Sequence, residues 1–245
     1  RLYRRAKELG CEYVVTGHYA RIEEENGRFL LKKAVDPTKD QSYVLYSMTQ
    51  DELRHTLFPL GGMTKTHTRE LARKLGFYNA DKPDRQDICF VPDGDYASFI
   101  RSFTGRDYPR GEFVDKSGNV LGEHRGLIGY TVGQRKGLGI ALGEPRYVTA
   151  LMPKENRVVL GSNEDLMSRE LDAKNFNFIA FDTPPAEFRA SARVRYRQAE
   201  QPATVRVTGE NTVHITFDEP QRAITKGQAV VVYDGDVVIG GGEIC

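Results

Sequence analysis

Cysteine is scarce in this sequence, neither sign of charge is in excess, and long apolar runs are missing. The three cysteines, Cys11, Cys89 and Cys245, lie far apart, without the close pairs that zinc and iron–sulfur sites use. So few cysteines also argue against a secreted disulfide scaffold and favour a reducing compartment. We therefore predict a cytoplasmic protein with no structural metal.

The charges nearly balance, with 35 basic and 34 acidic residues. This total excludes a strong overall field that would attract nucleic acid, but it is compatible with a local basic groove. No run approaches the roughly 20 apolar residues that span a bilayer, so no membrane partner is predicted. The 39% hydrophobic content can fill the core of one large domain or of two to three small ones.

The beginning of the sequence has the pattern of an α/β domain. Residues 2–9 place apolar side chains on one helix face, and Gly10 is a typical helix end. This helix has no N-cap and no initiator methionine, so we expect a fragment whose upstream part is missing. The run Cys11–Thr16 then predicts a strand that ends at Gly17, and the loop after such a strand is a common ligand site in α/β folds.

A hairpin and three further helices are predicted downstream. Asn26–Gly27 predicts a two-residue hairpin turn. A capping box begins a helix at Thr49, and another helix runs from about Thr64 to Leu75. The last helix follows a cap near Asp93, and its apolar face is expected to pack in the core. That face consists of Tyr96, Phe99, Ile100 and Phe103.

From about Gly111 the pattern changes to glycine-rich turns and short strands. Asp115–Asn119 has the composition of a turn, and Arg146–Leu151 and Arg157–Leu160 predict a hairpin. Beyond residue 185, alternating apolar residues predict five strands of a small antiparallel barrel. These strands are Ala192–Arg197, Thr204–Thr208, Val213–Phe217, Ala229–Tyr233 and Val237–Ile239.

Cys89 is the residue best suited to covalent chemistry. Its apolar neighbours Ile88, Phe90 and Val91 are typical of a small, buried, structural cysteine. The alternative is a reactive thiol, because Arg85 would favour the thiolate form. The surrounding residues leave both interpretations open.

Two polar segments are candidates for binding. Gly17 would allow a nucleotide to approach the backbone or would only form a turn, and His18 would project into an α/β cleft or be a structural histidine. Lys39, Asp40 and Gln41 offer a cation, an acceptor and an amide, which suit a phosphate-bearing partner. The alternative for Asp40 is a helix cap on a solvated loop.

Basic residues also occur in the second half of the chain. Arg193, Arg195 and Arg197 alternate along a predicted strand and would form a basic stripe on one face. The segment Gly133–Gly139 lacks the strand–turn–helix context and the Gly-Lys-Ser/Thr ending of a nucleotide phosphate loop. We interpret it as a flexible basic loop that contacts an RNA backbone.

Five motifs lie in order along essentially the whole chain: Thr16–Ala20, Lys39–Tyr43, Asp87–Phe90, Gly129–Gly139 and Arg195–Arg197. Together they resemble the bacterial tRNA-specific 2-thiouridylase family. The resemblance implies a fold of the α/β plus β class. It would comprise the C-terminal part of a PP-loop ATP-binding domain (adenine nucleotide alpha hydrolase-like) at residues 1–95, a small tRNA-contacting central domain at 96–168, and an antiparallel β-barrel at 169–245.

The resemblance also implies ATP-dependent 2-thiolation of the wobble uridine of certain tRNAs. ATP, with Mg²⁺, would adenylate the uracil C2 oxygen, and a cysteine persulfide would deliver the sulfur. The implied partners are tRNA and a sulfur-carrier protein that donates persulfide sulfur. Cys89 matches the persulfide cysteine and Gly17 a glycine that contacts ATP. The implied tRNA-contacting residues are His18, Lys39, Asp40, Gln41, Arg195, Tyr196 and Gln228.

The sequence departs from the family pattern at its beginning. The Ser-Gly-Gly-Val-Asp-Ser phosphate loop and the first, nucleophilic cysteine would lie upstream of Arg1, and Cys11 is in the wrong place to replace that cysteine. We therefore expect an intact tRNA-uridine 2-sulfurtransferase but an inactive fragment. One alternative is a non-catalytic tRNA-binding module in which Cys89 only packs. Another is a different ATP-using PP-loop enzyme, which would need Gly17 but not Cys89.

Overall fold

The computed structural model describes residues 2–82, 91 and 95–245. These residues form two compact units. The first unit combines residues 2–82 with residues 169–220 and 225–245, and the second contains residues 91, 95–168 and 221–224. None of the helices in the described ranges is both long and apolar enough to traverse a bilayer.

Most regular structure in the described residues is β-strand. The helices are α1 (Leu2–Glu8), α2 (Gln50–Arg54), α3 (Lys65–Lys74) and α4 (Tyr96–Thr104). The strands of the first hundred and sixty residues are β1 (Val14–Val15), β2 (Ala20–Glu25), β3 (Arg28–Lys33), β4 (Thr56–Leu57), β5 (Gly111–Val114), β6 (Val120–His124), β7 (Tyr147–Met152) and β8 (Arg157–Gly161). The later strands are β9 (Met167–Phe178), β10 (Glu187–Arg193), β11 (Gln201–Gly209), β12 (Thr212–Arg222), β13 (Ala229–Asp234) and β14 (Val237–Ile244).

The predicted C-terminal barrel is confirmed. Six strands follow the order β13-β10-β11-β12-β9-β14, and β13 also pairs with β14, which closes the sheet on itself. Alternate side chains point inward, and Val205, Ile215 and Val231 are fully buried. Strand β9 was not predicted from the sequence, because charged and polar residues separate its few buried positions.

The predicted hairpin of β2 and β3 is confirmed, and it extends the barrel sheet. Its turn residues Asn26 and Gly27 both have positive φ, as a two-residue hairpin turn requires. Strand β3 pairs with β14 at Lys32 and Val237. The hairpin and the barrel therefore share one core, which includes Ala20, Leu31, Leu45, Leu53, Ile179 and Tyr233.

The helix signals near the beginning of the chain are also confirmed. Thr49 caps α2 in a complete capping box with Glu52, and Thr64 caps α3. Strand β1 follows α1, as predicted, but it covers only Val14–Val15 of the run Cys11–Thr16, and it pairs in parallel with β4. Val15 and Leu57 on these two strands remain 60% and 48% exposed.

The second unit contains a four-stranded sheet in the order β6-β5-β8-β7. The predicted β7–β8 hairpin is confirmed, and Phe113, Tyr130 and Val148 contribute to the core beside it. The helix predicted after a cap near Asp93 is confirmed as α4, which Asp95 caps, while Asp93 itself lies outside the described residues. The expectation that its apolar face lies in the core was wrong, because no residue of the helix is buried. Phe99 and Ile100 are half-buried, and Tyr96 and Phe103 are exposed.

Candidate functional site

Gly17 and His18 lie just beyond β1, from which Thr16 separates them, in the loop where the sequence predicted a ligand site. His18 is half-buried, with Nδ1 2.8 Å from Thr16 Oγ1 and its ring edge against Phe58. Gly17 is exposed, and a methyl group added there would lie 3.6 Å from Leu60 Cδ1, an ordinary van der Waals distance. The fold itself therefore does not require glycine at this position.

Gln41 connects this segment to the next candidate. Its side-chain Oε1 accepts a hydrogen bond from the Tyr19 backbone N–H at 3.0 Å, and its own N–H donates to the Tyr19 carbonyl at 2.8 Å. Tyr19 is adjacent to His18, so the turn at Lys39–Gln41 is fixed next to the end of β1. Two segments that are separated in sequence thus meet through paired hydrogen bonds.

The Asp40 carboxylate points into the protein. Its Oδ1 accepts hydrogen bonds from the N–H groups of Ala34 and Ser42, and its Oδ2 accepts from the Ser42 hydroxyl. Asp40 is only 9% exposed. The alternative of a helix cap on a solvated loop was wrong, because Asp40 is buried and the 3₁₀ turn that begins at Ser42 has Gln41 as its N-cap, whose side chain makes no capping bond. Asp40 instead closes a local turn through the Ser42 N–H, and its backbone carbonyl accepts the Tyr196 hydroxyl.

Tyr196 joins the turn at Lys39–Gln41 to the barrel. Its hydroxyl donates to the Asp40 carbonyl at 3.3 Å, and its ring meets the Tyr43 ring edge-on at 5.9 Å. Tyr43 is itself anchored, because its hydroxyl donates to the Ala229 carbonyl at 2.8 Å. Burial raises the pKa of Tyr43 to about 12. Tyr196 remains 44% exposed, which leaves part of its ring open.

The predicted basic stripe on one strand face was wrong. Strand β10 ends at Arg193, and residues 195–198 form a turn in which the Gln198 N–H donates to the Arg195 carbonyl at 3.1 Å. Val194 is buried and continues the alternation one residue past the strand end. Arg195 and Arg197 therefore belong to a turn beside Tyr196 and not to the strand.

Gln228 lies beside Arg195. The Arg195 Nη2 donates to the Thr225 hydroxyl at 3.0 Å, and the Gln228 N–H donates to the Thr225 carbonyl at 3.2 Å. The structure thus brings together three predicted contact segments, Lys39–Gln41, Arg195–Tyr196 and Gln228, which we call the turn cluster. All of it belongs to the first unit.

The turn cluster has the chemistry of a single-stranded RNA site. Tyr196 is 44% exposed, and the cations Lys39, Arg195 and Arg197 of the same segments are exposed or half-exposed. Aromatic rings stack on unpaired bases, and cations contact phosphates. The Asp40 carboxylate points inward and therefore does not face a phosphate at this surface.

The segment Gly133–Gly139 lies in the second unit. It forms turns without a following helix, in agreement with the rejection of a phosphate loop. Its first residues are held by β7, because the Gly133 N–H donates to the Val148 carbonyl and the Val148 N–H donates to Gln134. The basic residues of the segment, Arg135 and Lys136, follow this anchored part.

The sulfur chemistry predicted for Cys89 falls on a residue outside the described ones. Cys11 and Cys245, which are described, are both exposed free cysteines. Within the described ranges, no group of three or more His, Cys, Asp or Glu side chains could hold a metal ion.

Sequence reasoning missed the residues that support the turn cluster. Tyr43 is the last residue of the Lys39–Tyr43 motif, but no residue near it in sequence indicated that its ring would lie against Tyr196. No sequence pattern indicated the contact of Thr225 with Arg195, since this hydrogen bond joins residues 30 positions apart.

Comparison with known proteins adds a consistent pattern of similarity. Residues 1–93 match the family model described as tRNA methyl transferase HUP domain. Residues 97–162 match the tRNA methyl transferase PRC-barrel domain, and residues 168–244 match the aminomethyltransferase beta-barrel domain. These matches confirm the predicted fold class, with a HUP domain of the PP-loop type, a central domain and a C-terminal β-barrel.

Several curated proteins are similar over nearly all of this chain. The tRNA-specific 2-thiouridylase MnmA of Clostridioides difficile is 52% identical over 99% of this chain and 68% of its own length. The protein of the same name from Carboxydothermus hydrogenoformans is 50% identical over 99% of this chain and 67% of its own length. The tRNA-specific 2-thiouridylase MnmA 1 of a Thermoanaerobacter species is 51% identical, again over 99% and 67%. With this identity and coverage, the chain belongs to the tRNA-specific 2-thiouridylase family.

Proposed function

We propose that this chain takes part in the ATP-dependent 2-thiolation of the wobble uridine of tRNA, with Cys89 as the carrier of the transferred sulfur. The observation that carries the proposal is the turn cluster, in which residues from three distant segments form one cationic and aromatic surface. The names of the relatives, tRNA-specific 2-thiouridylases, support the same substrate.

The role of the turn cluster is to hold an unpaired region of the tRNA. The open ring of Tyr196 would stack on a base, while Lys39 and Arg195 would neutralise phosphates. Asp40 would act indirectly, because its carboxylate organises the turn from inside. His18 and Gln41 would extend this surface toward the end of β1, since Gln41 bonds to the residue next to His18.

The residues present at the end of β1 fit one edge of a nucleotide site. Gly17 is exposed, and the fold has room for a side chain there, so a reason for glycine would come from a ligand that approaches the backbone. Bound ATP, with Mg²⁺ to offset its charge, would supply the adenylyl group that makes the uracil C2 oxygen a leaving group. Gly17 would then contact the nucleotide through its backbone.

Cys89 would hold the sulfur as a persulfide that a sulfur-carrier protein donates. The terminal sulfur would form a bond to uracil C2 as the activated oxygen leaves, and a second thiol would then reduce the sulfur–sulfur bond that remains to Cys89. A thiolate at Cys89 would favour both loading and transfer. The proposed location is the cytoplasm, where thiols stay reduced.

The test compares three cysteine variants in a tRNA thiolation assay with the full-length protein. Cys89→Ser is expected to abolish thiolation and leave the tRNA dissociation constant nearly unchanged. Cys11→Ser and Cys245→Ser, at the two exposed free cysteines, are the matched controls and should retain activity. Thiolation that persists in Cys89→Ser would refute the assigned role.

Mass spectrometry separates this proposal from a non-catalytic tRNA-binding module. After incubation with a persulfide donor, the proposal expects an added sulfur of about 32 Da on Cys89 that Cys89→Ser lacks. The binding module predicts tRNA binding that weakens with salt but no adduct at that residue. An adduct confined to Cys11 or Cys245 would favour the module.

A further inference from the structure

The segment Gly133–Gly139 in the second unit is anchored on both sides of its basic residues. Its beginning is bound to β7 through two backbone hydrogen bonds with Val148. Near its end, Leu138 is only 8% exposed and packs in the core of the same unit. Between the two anchors, the side chains of Arg135 and Lys136 are exposed. The two cations therefore lie on a short stretch of chain with fixed ends.

The side chain of Gln134 closes the turn that carries these cations. Its Oε1 accepts a hydrogen bond from the Thr131 N–H at 3.0 Å, and its Nε2 donates one to the Lys136 carbonyl at 3.0 Å. We propose that Gln134 is a positioning residue for RNA binding, which holds Arg135 and Lys136 as a preformed contact for backbone phosphates. This inference rests on the proposed function, because it takes tRNA as the partner.

The surroundings of the two cations favour an anionic partner. Within the described ranges, neither Arg135 nor Lys136 forms an ion pair with a carboxylate. The described lining of the groove beside Arg135 has one carboxylate, Glu144, and this is paired with Arg146. A third cation, Arg222, donates at 3.2 Å to a backbone carbonyl of the same segment. Such a group of cations can contact the phosphates of RNA without reading its sequence.

Holding the turn before the RNA arrives reduces the entropy that is lost on binding. Glutamine suits this role because its amide both accepts and donates hydrogen bonds but carries no charge. Gln134 therefore orders the backbone around the cations without competing with a phosphate for them. A carboxylate in its place would accept the Thr131 N–H but could not donate to the Lys136 carbonyl.

The first unit contains another glutamine with the same kind of backbone contacts, and it supplies a control. The Gln50 Oε1 accepts the Phe29 N–H at 2.9 Å. Its Nε2 donates to the Phe29 carbonyl at 2.8 Å and to the Ile179 carbonyl at 3.1 Å. These contacts join α2 to the hairpin and the barrel and involve no residue of the turn cluster. Gln50 thus shares the chemistry of Gln134 but stabilises only the fold.

The experiment measures the tRNA affinity of the full-length protein and its variants between about 50 and 200 mM salt. Replacing Arg135 and Lys136 together by alanine should weaken binding about tenfold at the lower salt concentration. It should also reduce the slope of log affinity against log salt by about 1.4 to 1.8 in magnitude, because two phosphate contacts are lost. Gln134→Met keeps the length of the side chain but removes its amide, and we expect binding about threefold to fivefold weaker. Gln50→Met should bind like the unchanged protein.

A double-mutant cycle distinguishes positioning from a purely structural role. If Gln134 acts through the two cations, Gln134→Met should change affinity by less than about twofold once Arg135 and Lys136 are alanine. Full additivity in this cycle would overturn the inference, as would unchanged affinity in Gln134→Met. Equal losses in Gln134→Met and Gln50→Met would also overturn it, because the effect would then be one of stability. Urea midpoints of all the variants show that they are folded under the assay conditions.

The variant Lys39→Ala separates failure of this inference from failure of the proposed function. If Lys39→Ala weakens tRNA binding while the alanine variant at Arg135 and Lys136 does not, the turn cluster binds tRNA and the inference is wrong. If the full-length protein shows no salt-dependent tRNA binding at all, the proposed function fails, and the inference fails with it.

Discussion

Two turns built on the same local chemistry occur in the two units. Asp40 accepts backbone hydrogen bonds from Ala34 and Ser42, and Asp115 accepts backbone hydrogen bonds from Ser117 and Asn119. Each carboxylate also accepts one side-chain hydrogen bond, from the Ser42 hydroxyl and from the Asn119 amide respectively. In sequence both are polar turns with a lysine next to the aspartate.

The two turns differ in burial and in what they support. Asp40 is 9% exposed, and its carbonyl accepts the Tyr196 hydroxyl. Asp115 faces solvent, where the side chain of Asn119, followed by backbone N–H groups, lowers the pKa of its carboxyl. The same turn is therefore a local surface feature in one unit and part of a long-range contact in the other. A polar turn acquires a binding role when tertiary contacts fix it against a second segment.

Removing the buried carboxylate of Asp40 should have the largest effect, which is on the free energy of unfolding. Asp40→Ala leaves the N–H groups of Ala34 and Ser42 without their acceptor in a buried place, which should lower the free energy of unfolding by about 3 kcal/mol. Urea denaturation measures this loss. Asp115→Ala is the matched change, and it should lower stability much less because water can replace the carboxylate. Equal losses in the two variants would contradict the distinction drawn from burial.

Removing the neighbouring lysines should have a smaller effect, on affinity and not on stability. Lys39→Ala should weaken tRNA binding about threefold to fivefold and reduce its salt dependence, because a phosphate contact is lost. Lys116→Ala removes an exposed lysine that pairs with Asp165, and it should leave affinity unchanged. Filter binding at several salt concentrations compares the two. A larger loss for Lys116→Ala would locate the RNA surface at the other turn.

The smallest expected effect is on stability at alkaline pH, and it concerns Tyr43, whose ring contacts the ring of Tyr196. Burial raises the pKa of Tyr43 from 10.0 to about 12, so its phenol ionises more readily in the unfolded chain than in the folded one. The resulting stabilisation is complete below pH 10 and is lost as the pH rises toward 12. Tyr43→Phe should reduce this decline in urea midpoints. Burial also raises the pKa of Tyr233, so the decline should not vanish.

The fully exposed Tyr78 provides the control for that titration. Tyr78→Phe should follow the pH profile of the unchanged chain. If Tyr43→Phe and Tyr78→Phe give the same profile, the alkaline loss of stability comes from groups other than Tyr43.

Several elements could be predicted because their signals are local. The turn at Asn26 and Gly27 needs two residues that tolerate positive φ, and the cap at Thr49 needs only Glu52 three positions later. Two other features could not be predicted from the sequence. Val194 and Tyr196 alternate with arginines as in a strand, yet the bond from Gln198 to Arg195 closes a turn there. The apolar face of α4 has helical spacing, but spacing does not tell whether a partner covers it.

The sequence alone determined the chemistry that this protein has available. It specified a cysteine in the Asp87–Phe90 motif, cations next to polar and aromatic residues, and an order of motifs that resembles one family. Only the tertiary structure decided that Asp40 turns inward and that Tyr196 meets it across 156 positions. The physical reason is range: caps and turns are set by residues a few positions apart, whereas the turn cluster exists only once the barrel has closed.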